Sequence, residues 1–381
     1  MKKMFISALL LASALTAGAQ EKGKSITLPS WINDINLSGY GMVQYSYTDE
    51  EGAKANSFNL RLVRLALDGH FANDFYYKLQ YQFNGNNATT NGSARLVDCF
   101  LEWQKYDFFK VKAGQFKRAF TFENPMHPIT EGFYSYAQAI NKLAGFSDRN
   151  RENASNGRDI GVQIQGDFLK NNNGRNLFHY QLAVYNGQGV NYKDVDQQKD
   201  LIGGLWVMPI KGMRIGAFGW TGSYARKGTW TETDAVGTQS TKSGVRSLQK
   251  RRYALSGEYV HNDWTFRTEY VHSTGYAFAN DEKSSDCTID ATIGNKADAY
   301  YAAVIAPIIK NKLHAKARYD LYRSNAEWNK ALTYYEIGLD YEINKNVQIN
   351  AEYALKNNRA NKAKNLDENS NMIDVQLDFK F

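Results

Sequence analysis

The chain has 381 residues, of which 43% are hydrophobic and 14% aromatic, and it carries a formal net charge of +7. This mild and dispersed positive charge excludes the concentrated basic footprint of a nucleic-acid-binding protein. After residue 19 no apolar run reaches the length of a transmembrane helix, so a membrane-spanning chain of this kind must be a β-barrel.

Residues 1–19 have the three-part pattern of a secretory signal peptide. Two lysines precede an apolar run, 4–15, and the small residues 17–19 provide a cleavage site. The apolar run is too short to span a bilayer. We therefore predict an exported protein whose mature chain starts at Gln20, carries a net charge of +5 and has a short periplasmic segment, 20–33.

Two-residue alternation marks about sixteen candidate strands along the rest of the chain. In segment 75–83, for example, Phe75 and Leu79 share one face while Lys78 and Gln80 share the other. The last segment alternates in the same way and ends in Phe381, as the final strands of outer-membrane barrels do. The predicted strands are 37–47, 58–69, 75–83, 96–105, 108–115, 160–168, 178–186, 201–208, 213–224, 253–261, 264–272, 299–305, 313–321, 333–343, 347–355 and 373–381.

The connections between these strands alternate between short and long. Short turns such as 71–74 and 262–263 are followed by long polar segments such as 116–158, 225–250 and 273–298. Short turns at one end, long loops at the other and an even number of strands are typical of an outer-membrane barrel. A soluble β-sandwich has no reason to alternate its loop lengths. The predicted fold is therefore an all-β, transmembrane antiparallel barrel over 34–381.

Aromatic side chains support this prediction. The chain contains 25 Tyr, 20 Phe and 7 Trp but only 5 Pro. Several of the rings lie where predicted strands meet short turns, which suits the membrane interface because a ring has an apolar body and, in Tyr and Trp, a polar tip. These positions are Phe71, Phe75, Tyr76, Trp103, Tyr106, Phe108 and Phe109.

The third long connection, 116–158, has about forty residues without sustained alternation. Loops of this length are uncommon and are usually functional or disordered. A barrel of sixteen strands is wide enough to contain an aqueous channel, and the selectivity of such a channel depends on what narrows it and on the charges there. We therefore predict that 116–158 folds into the barrel as a constriction.

Three motifs resemble the phosphate-selective porin O and P family. They are Phe-Asn-Leu-Arg-Leu-Val-Arg-Leu-Ala-Leu-Asp-Gly at 58–69, Val-Lys-Ala-Gly-Gln-Phe-Lys-Arg-Ala-Phe at 111–120, and Gly-Arg-Asp-Ile-Gly-Val-Gln at 157–163. The resemblance implies a trimeric sixteen-stranded barrel in the outer membrane, with the third extracellular loop folded inward. It also implies that basic residues guide small hydrophilic or anionic solutes through each subunit.

Basic residues on the early strands and in the long loop are the candidate pore-lining residues. Strand parity turns Lys78, Lys110 and Lys112 inward. A bulge near Val63 would turn both Arg61 and Arg64 inward as well. The alternative for part of 147–152 is an ordinary solvated charge run. The full candidate set is Arg61, Arg64, Lys78, Lys110, Lys112, Lys117, Arg118, Arg149, Arg151 and Arg158.

Acidic residues are predicted to face inward on the late strands. In a closed barrel the last strand pairs with the first, so one wall would be basic and the other acidic. Such a transverse field suits a general or mildly anion-preferring pore. The predicted inward acids are Glu336, Asp340, Glu342, Glu352, Asp374 and Asp378, with Asp98 and Glu102 between the lysines.

Several alternatives stay open from the sequence. An adhesive or structural barrel has the same strand pattern, and His272-Ser273 would serve a barrel hydrolase. The basic residues of 225–250 would contact lipopolysaccharide phosphates or serve solubility. No metal-ligand spacing or cofactor motif occurs among the histidines. Cys99 and Cys287 allow a disulfide, although one is predicted in a strand and the other in a polar loop.

Overall fold

The computed structural model describes residues 29–84, 94–233, 235–281 and 284–381. These residues form one closed barrel of sixteen antiparallel strands. Each strand pairs with its neighbours in sequence, and β1 closes the barrel against β16, with Tyr40 opposite Lys380 and Thr48 opposite Met372. The predicted fold class is therefore confirmed. The predicted signal peptide and most of the segment 20–33 lie outside the described residues.

Each of the sixteen predicted strands overlaps one observed strand. The strands are β1 Ile32–Thr48, β2 Ala55–Phe71, β3 Phe75–Gln82, β4 Arg95–Tyr106, β5 Phe109–Lys117, β6 Arg158–Lys170, β7 Asn176–Tyr185, β8 Asp200–Val207, β9 Met213–Thr233, β10 Gln239–His261, β11 Trp264–Thr274, β12 Lys296–Ile309, β13 Leu313–Arg323, β14 Ala331–Asn344, β15 Val347–Asn358 and β16 Asn369–Lys380. One α-helix, α1 Gln138–Leu143, and two 3-10 helices, Trp328–Lys330 and Arg359–Lys364, lie in the described connections.

Side chains alternate across the wall as the sequence predicts. On β15, Ile349 and Tyr353 are exposed on the outer face, whereas Asn350 and Glu352 are buried within the barrel. This is the inverse of a soluble protein, because the apolar face meets lipid and the polar face lines the lumen. At the short-turn end, Phe71 stacks on Phe75 with ring centroids 5.3 Å apart. Trp103 lies edge-on to Tyr106 at 5.6 Å.

One predicted long loop is wrong. Segment 225–250 continues as strand, so that β9 and β10 reach 21 and 23 residues and pair as far as Thr233 opposite Gln239. The alternation ends at the edge of the apolar band because neither face of this extension meets lipid. The extension is instead held by the loop between β11 and β12: Thr229 N donates to Ser285 O, and Cys287 N donates to Thr229 O.

Both cysteines are free. Cys287 is buried in a small apolar cluster with Tyr224, Leu248 and Phe278 at the base of the β9–β10 extension. Cys99 lies on β4. Among the described residues, no helix is long and apolar enough to span a membrane.

Candidate pore and its inner loop

The chain leaves the wall after Lys117 and returns at Arg158, and we call residues 118–157 the inner loop. Its apolar side packs on β8 and β9. Phe120 lies edge-on to Trp220 at 5.4 Å, and Phe122 lies edge-on to Phe218 at 5.4 Å. Both phenylalanines are fully buried. The inner loop is therefore a packed layer against the inside of the wall, and its core contacts fix its position.

Helix α1 continues this layer across β11, β12 and β13. Ile140 and Leu143 are fully buried in the same core as Val271 and Ala299. Two carboxylates accept hydrogen bonds from the start of the helix: Glu123 Oε1 from Ala137 N at 2.7 Å, and Asp320 Oδ2 from Gln138 N at 2.9 Å. Negative charge at this position is favourable because the helix leaves its first N–H groups without intrahelical partners.

Arg252 of β10 anchors the second half of the inner loop. Its guanidinium donates to both carboxylate oxygens of Asp148 at 2.7 and 2.8 Å, to Leu143 O at 2.9 Å and to Asn150 Oδ1 at 3.2 Å. Burial raises the pKa of Asp148, but the charge and hydrogen bonds of Arg252 outweigh it and hold the pKa below its usual value. A neighbouring pair, Lys250 and Glu152, joins the same wall and loop at 2.6 Å.

Two residues of β13 anchor the first half. Arg318 Nη1 contacts Glu131 Oε1 at 3.1 Å and Nη2 donates to Ser135 O at 2.9 Å. Lys316 Nζ donates to Gly132 O at 2.6 Å and also pairs with Glu352 at 2.5 Å. The charges in these contacts are buried, so removing one member of an ion pair would leave the other charge uncompensated inside the barrel.

The inner loop also touches the opposite side of the lumen. The His127 ring lies 4.4 Å from that of Tyr40 on β1. Ile129 belongs to a buried cluster with Tyr40, Met42 and Leu62. His127 Nδ1 accepts from Ile129 N at 3.2 Å, which places the ring proton on Nε2 in the neutral form. The inner loop thus spans from the β8–β13 wall to β1 and β2 and narrows the lumen.

Four cations meet beside this crossing, and we call Arg64, Arg95, Lys117 and Arg158 the basic cluster. With its side-chain amide oriented to match its donors, Asn156 Oδ1 accepts from Arg64 and Arg95 at 3.0 Å each. Arg158 Nη1 donates to the Asn156 carbonyl at 3.2 Å. Lys117, which lies opposite Arg158 in the strand register, places Nζ over the inner-loop rings of Tyr136 and Phe146 at 5.1 and 4.6 Å.

One carboxylate, Asp98, pairs with the basic cluster. It accepts from Arg158 Nε at 2.6 Å and from Nη2 at 2.9 Å. The other partners of Arg64 are neutral: Gln82 Oε1 at 2.8 Å and the Tyr40 hydroxyl at 2.9 Å. Three arginines and one lysine against one carboxylate leave a local excess of positive charge where the inner loop crosses the lumen. Arg64 and Arg158 are themselves buried, so their charge acts on the lumen through its field and not by direct contact.

The remaining strand candidates lie on the same side of the barrel. Lys78, Lys110 and Lys112 are half-buried on β3 and β5, and Lys112 Nζ lies 3.4 Å from Glu102. Arg61 occupies the extra position of a bulge between β1 and β2, where Met42 pairs with Leu62 and Val43 with Leu60. Its guanidinium donates to Gln376 Oε1 at 2.9 Å across the barrel seam. The predicted bulge is therefore present.

Three candidate pore-lining residues of the inner loop pair with other groups of the protein. Arg118 is 2% exposed and pairs with Asp159 at 2.9 Å. The guanidinium fits beside Gly145, because a Cβ at position 145 would clash with Arg118 Nη1. Arg149 is buried and donates to Gly275 O and Gly294 O at 2.5 and 2.8 Å. Arg151 pairs with Asp290 at 2.9 Å. The interpretation of Arg118 and Arg149 as cations that meet solutes is corrected, because both are buried and hold the inner loop to the wall and outer loops. The Arg151 side chain is 37% exposed and stays a candidate.

The wall of late strands is less acidic than the sequence suggested. Glu336, Glu352, Asp374 and Asp378 are buried inward as predicted. However, Arg318 pairs with Glu336 and Lys316 with Glu352, and His314 Nδ1 lies 2.8 Å from Asp340 Oδ2. The charges of Glu336 and Glu352 are therefore neutralised on this side, whereas Asp374 and Asp378 accept hydrogen bonds from amide side chains.

The two residues suggested for a hydrolase do not form a pair. His272 stacks on Tyr253 at 5.2 Å. Ser273 is fully buried and accepts from Arg252 Nε at 3.2 Å. Because successive side chains of a strand point to opposite faces, the imidazole and hydroxyl lie on opposite sides of the wall.

Sequence reasoning missed several residues that build this site. Arg95 falls at the end of a predicted loop, and Asn156 has a left-handed backbone, φ 51°, in a segment without periodicity. Arg252 and Arg318 have the inward parity of their strands, and this parity could have identified them as lumen-facing residues. Their partners in the inner loop have no such signal, because the loop has no periodicity.

A closed barrel of sixteen antiparallel strands with a long loop packed inside it defines the porin class of outer-membrane proteins. Residues 37–203 match the model of the phosphate-selective porin O and P family, which confirms the resemblance seen in the motifs. A search of the curated proteins finds no significant match.

Solved porins share the fold at low sequence identity. An anion-selective porin from Comamonas acidovorans is 13% identical with a TM-score of 0.63, covering 91% of this chain and 99% of that one. OmpF of Salmonella typhi, in complex with daunomycin, is 11% identical with a TM-score of 0.62, covering 93% and 99%. The outer membrane channel DcaP of Acinetobacter baumannii is 14% identical with a TM-score of 0.57, covering 91% and 97%.

Proposed function

We propose that the protein is a passive outer-membrane pore for small hydrophilic solutes with a preference for anions. The observation that supports this proposal is the basic cluster, where Arg64, Arg95, Lys117 and Arg158 face a single carboxylate, Asp98. Low-dielectric walls focus the field of such a cluster on a passing ion. Within a constriction narrower than the screening length of about 8 Å, salt does not fully screen it.

The solute path that we propose runs along the wall of β2–β6. The apolar side of the inner loop is occupied by its contacts with β8–β13, so its polar edge and the early strands remain to line the opening. Lys78, Lys110 and Lys112 extend the basic surface beyond the cluster along this wall. An anion would therefore meet several cations in sequence. The trimer, which the resemblance implies, and the export signal, which the pattern of residues 1–19 indicates, are part of the same proposal.

Conductance across a planar bilayer tests the proposal. Purified protein in a tenfold KCl gradient should give stepwise conductance and a reversal potential whose sign reports chloride preference. The double variant Arg95→Gln with Lys117→Gln should move the reversal potential toward the cation-selective value. Lys227→Gln is the matched control, because this exposed lysine lies on the β9–β10 extension.

The outcomes separate the two parts of the proposal. Absence of stepwise conductance would contradict the pore and favour an adhesive or structural barrel. Stepwise conductance with cation preference would contradict the anion preference alone. A reversal potential that moves equally in the control and in the double variant would show that the basic cluster does not set the selectivity.

A further inference from the structure

A row of aromatic side chains crosses the inner face of the barrel from β2 to β7. Ring centroids lie 5.2 Å apart between His70 and Tyr76, and 6.0 Å apart between Tyr76 and Phe100. Phe116 follows at 5.9 Å from Phe100, and Tyr185 at 5.5 Å from Phe116. We call these five residues the aromatic row, because each ring lies beside the next.

Strand register places the aromatic row on the lumen face, since directly opposite residues of paired strands share a face. His70 is opposite Tyr76, and Tyr76 is opposite Glu102, which is buried inside the barrel. Phe100 is opposite Lys78. The preference of aromatic residues for the membrane interface therefore does not account for these rings.

The aromatic row runs from the short-turn end of the barrel to the start of the inner loop. His70 lies close to the turn 72–74. At the other end the Tyr185 hydroxyl accepts from Ala119 N at 3.1 Å, and both Tyr185 and Phe116 are buried. The three rings on β2, β3 and β4 are half-buried, so they form the part of the row that a solute in the lumen touches. Apolar rings at positions where the wall otherwise carries polar side chains are expected at a functional site.

Charged side chains flank these three rings. Lys112 Nζ lies 5.0 Å from the Phe100 ring centroid, and Lys78 is opposite Phe100 in the register. Lys112 Nζ is also 3.4 Å from Glu102 Oε2, and Asp68 is opposite Lys78. The site therefore combines an aromatic surface with ammonium donors for an anionic group and with carboxylate acceptors for hydroxyl groups.

This combination selects one class of solute. The C–H groups on the faces of a sugar ring carry partial positive charge, which favours contact with the negative face of an aromatic ring. An inorganic anion has no apolar face to cover the rings. A simple aromatic acid stacks on them, but it has no hydroxyl groups to donate to Asp68 and Glu102. A sugar with a carboxylate or phosphate group satisfies all three kinds of residue.

We propose that the half-buried part of the aromatic row binds anionic sugars on their way through the pore. The sugar ring covers Tyr76 and Phe100. Its anionic group lies between Lys78 and Lys112, and its hydroxyl groups donate to the carboxylates beside them. The proposal rests on the proposed pore and names a class of solute for it.

Saturation-transfer NMR of the detergent-solubilised protein tests the site without requiring conductance. Saturation of the protein's aromatic protons should transfer to the ring protons of glucuronate and of glucose 6-phosphate, and the tighter of the two identifies the preferred anionic group. Their dissociation constants should be about fivefold lower than those of glucose, which has no charge, and of acetate and methyl phosphate, which have no ring.

Variants locate the site. Tyr76→Leu and Phe100→Leu keep apolar bulk but remove the ring, and Lys112→Gln removes a cation; each should raise the dissociation constant of glucuronate about fivefold. Tyr334→Leu and Lys227→Gln are the matched controls and should bind glucuronate as the parent does. Tyr334 faces the lumen on β14, away from the row, and Lys227 is exposed on the β9–β10 extension.

Two further measurements make each outcome decisive. Electrophoretic mobility of the unheated protein shows whether each variant forms a barrel, and Lys112→Gln keeps the test valid if a leucine variant does not. No loss of binding, equal loss in variants and controls, or binding of acetate and methyl phosphate as tight as that of the sugars would overturn the proposal. Current through a planar bilayer separates the site from the pore: binding without current would uphold the site and contradict the pore, whereas current without binding would overturn the site alone.

Discussion

Substitution of Arg252 by methionine should release the inner loop from the wall. Methionine keeps the side chain long and apolar but removes the hydrogen bonds to Asp148, Leu143 and Asn150. It also leaves the Asp148 carboxylate, which is fully buried, without its bidentate partner. Breaking a buried ion pair by removing one partner costs about 3–5 kcal/mol. At about 1.4 kcal/mol per tenfold, the docking equilibrium of the loop should shift by about a hundredfold to a few thousandfold.

The barrel itself should survive this change, because its sixteen hydrogen-bonded strand pairs do not involve the Arg252 side chain. Single-channel recording should therefore show larger or noisier conductance from a barrel that still migrates as a folded species. Limited trypsin digestion from the outer side should reveal a new cleavage site within 118–157. Arg323→Met is the matched control, because it breaks a bidentate ion pair to Asp298 on the wall alone.

One result would refute this reasoning. If Arg252→Met and Arg323→Met both leave conductance and the tryptic pattern unchanged, the buried pair does not hold the loop, and the contacts of Phe120 and Phe122 with the wall must be sufficient.

Further predictions concern charge, pH and thiol reactivity. Arg95→Gln should lower the anion-to-cation permeability ratio about threefold in 0.1 M salt, since one charge within a screening length of the path contributes about 0.3 kcal/mol per ion; an unchanged reversal potential would contradict this. Burial, with Arg64 and Lys78 nearby, lowers the pKa of His127 to about 4. A lowered histidine pKa destabilises the docked loop as pH falls from about 6.5 to about 4, so single-channel noise should increase over that range and His127→Gln should abolish the increase. Burial raises the pKa of the Cys287 thiol, so maleimide should label it slowly until the protein is unfolded, and rapid labelling would contradict its packing.

The sequence predicted the barrel well because the wall follows a simple physical rule. A residue such as Tyr353 that faces lipid must be apolar, and a neighbour such as Glu352 that faces the lumen can be polar, so alternation reveals every strand. The alternation disappears where the two faces of a strand do not meet lipid and lumen. Between Ala225 and Thr233 the chain stays in a strand that packs against the loop between β11 and β12, and no alternation of apolar and polar residues marks it.

The interior was predicted less well than the wall. The inward parity of Lys78 and Lys112 could be counted along a strand, but the partners of a charge could not. Arg118 and Arg158 are forty residues apart, both basic and both beside a turn; one pairs with Asp159 within the packed layer, and the other helps to form the basic cluster. That difference is set by contacts between segments distant in sequence, which periodicity does not report.

The apolar core of the inner loop packs on β8–β13, and this divides the chain into two parts with different tasks. Strands β8–β13 hold the inner loop, whereas β2–β6 carry the basic cluster that we propose to act on anions. A hybrid protein joined within the connection between β7 and β8 would combine the basic cluster and the inner loop of one parent with the loop-bearing wall of another. The charge selectivity of the hybrid should then follow the first parent, whereas its size limit should depend on how firmly the second parent's wall holds the inner loop.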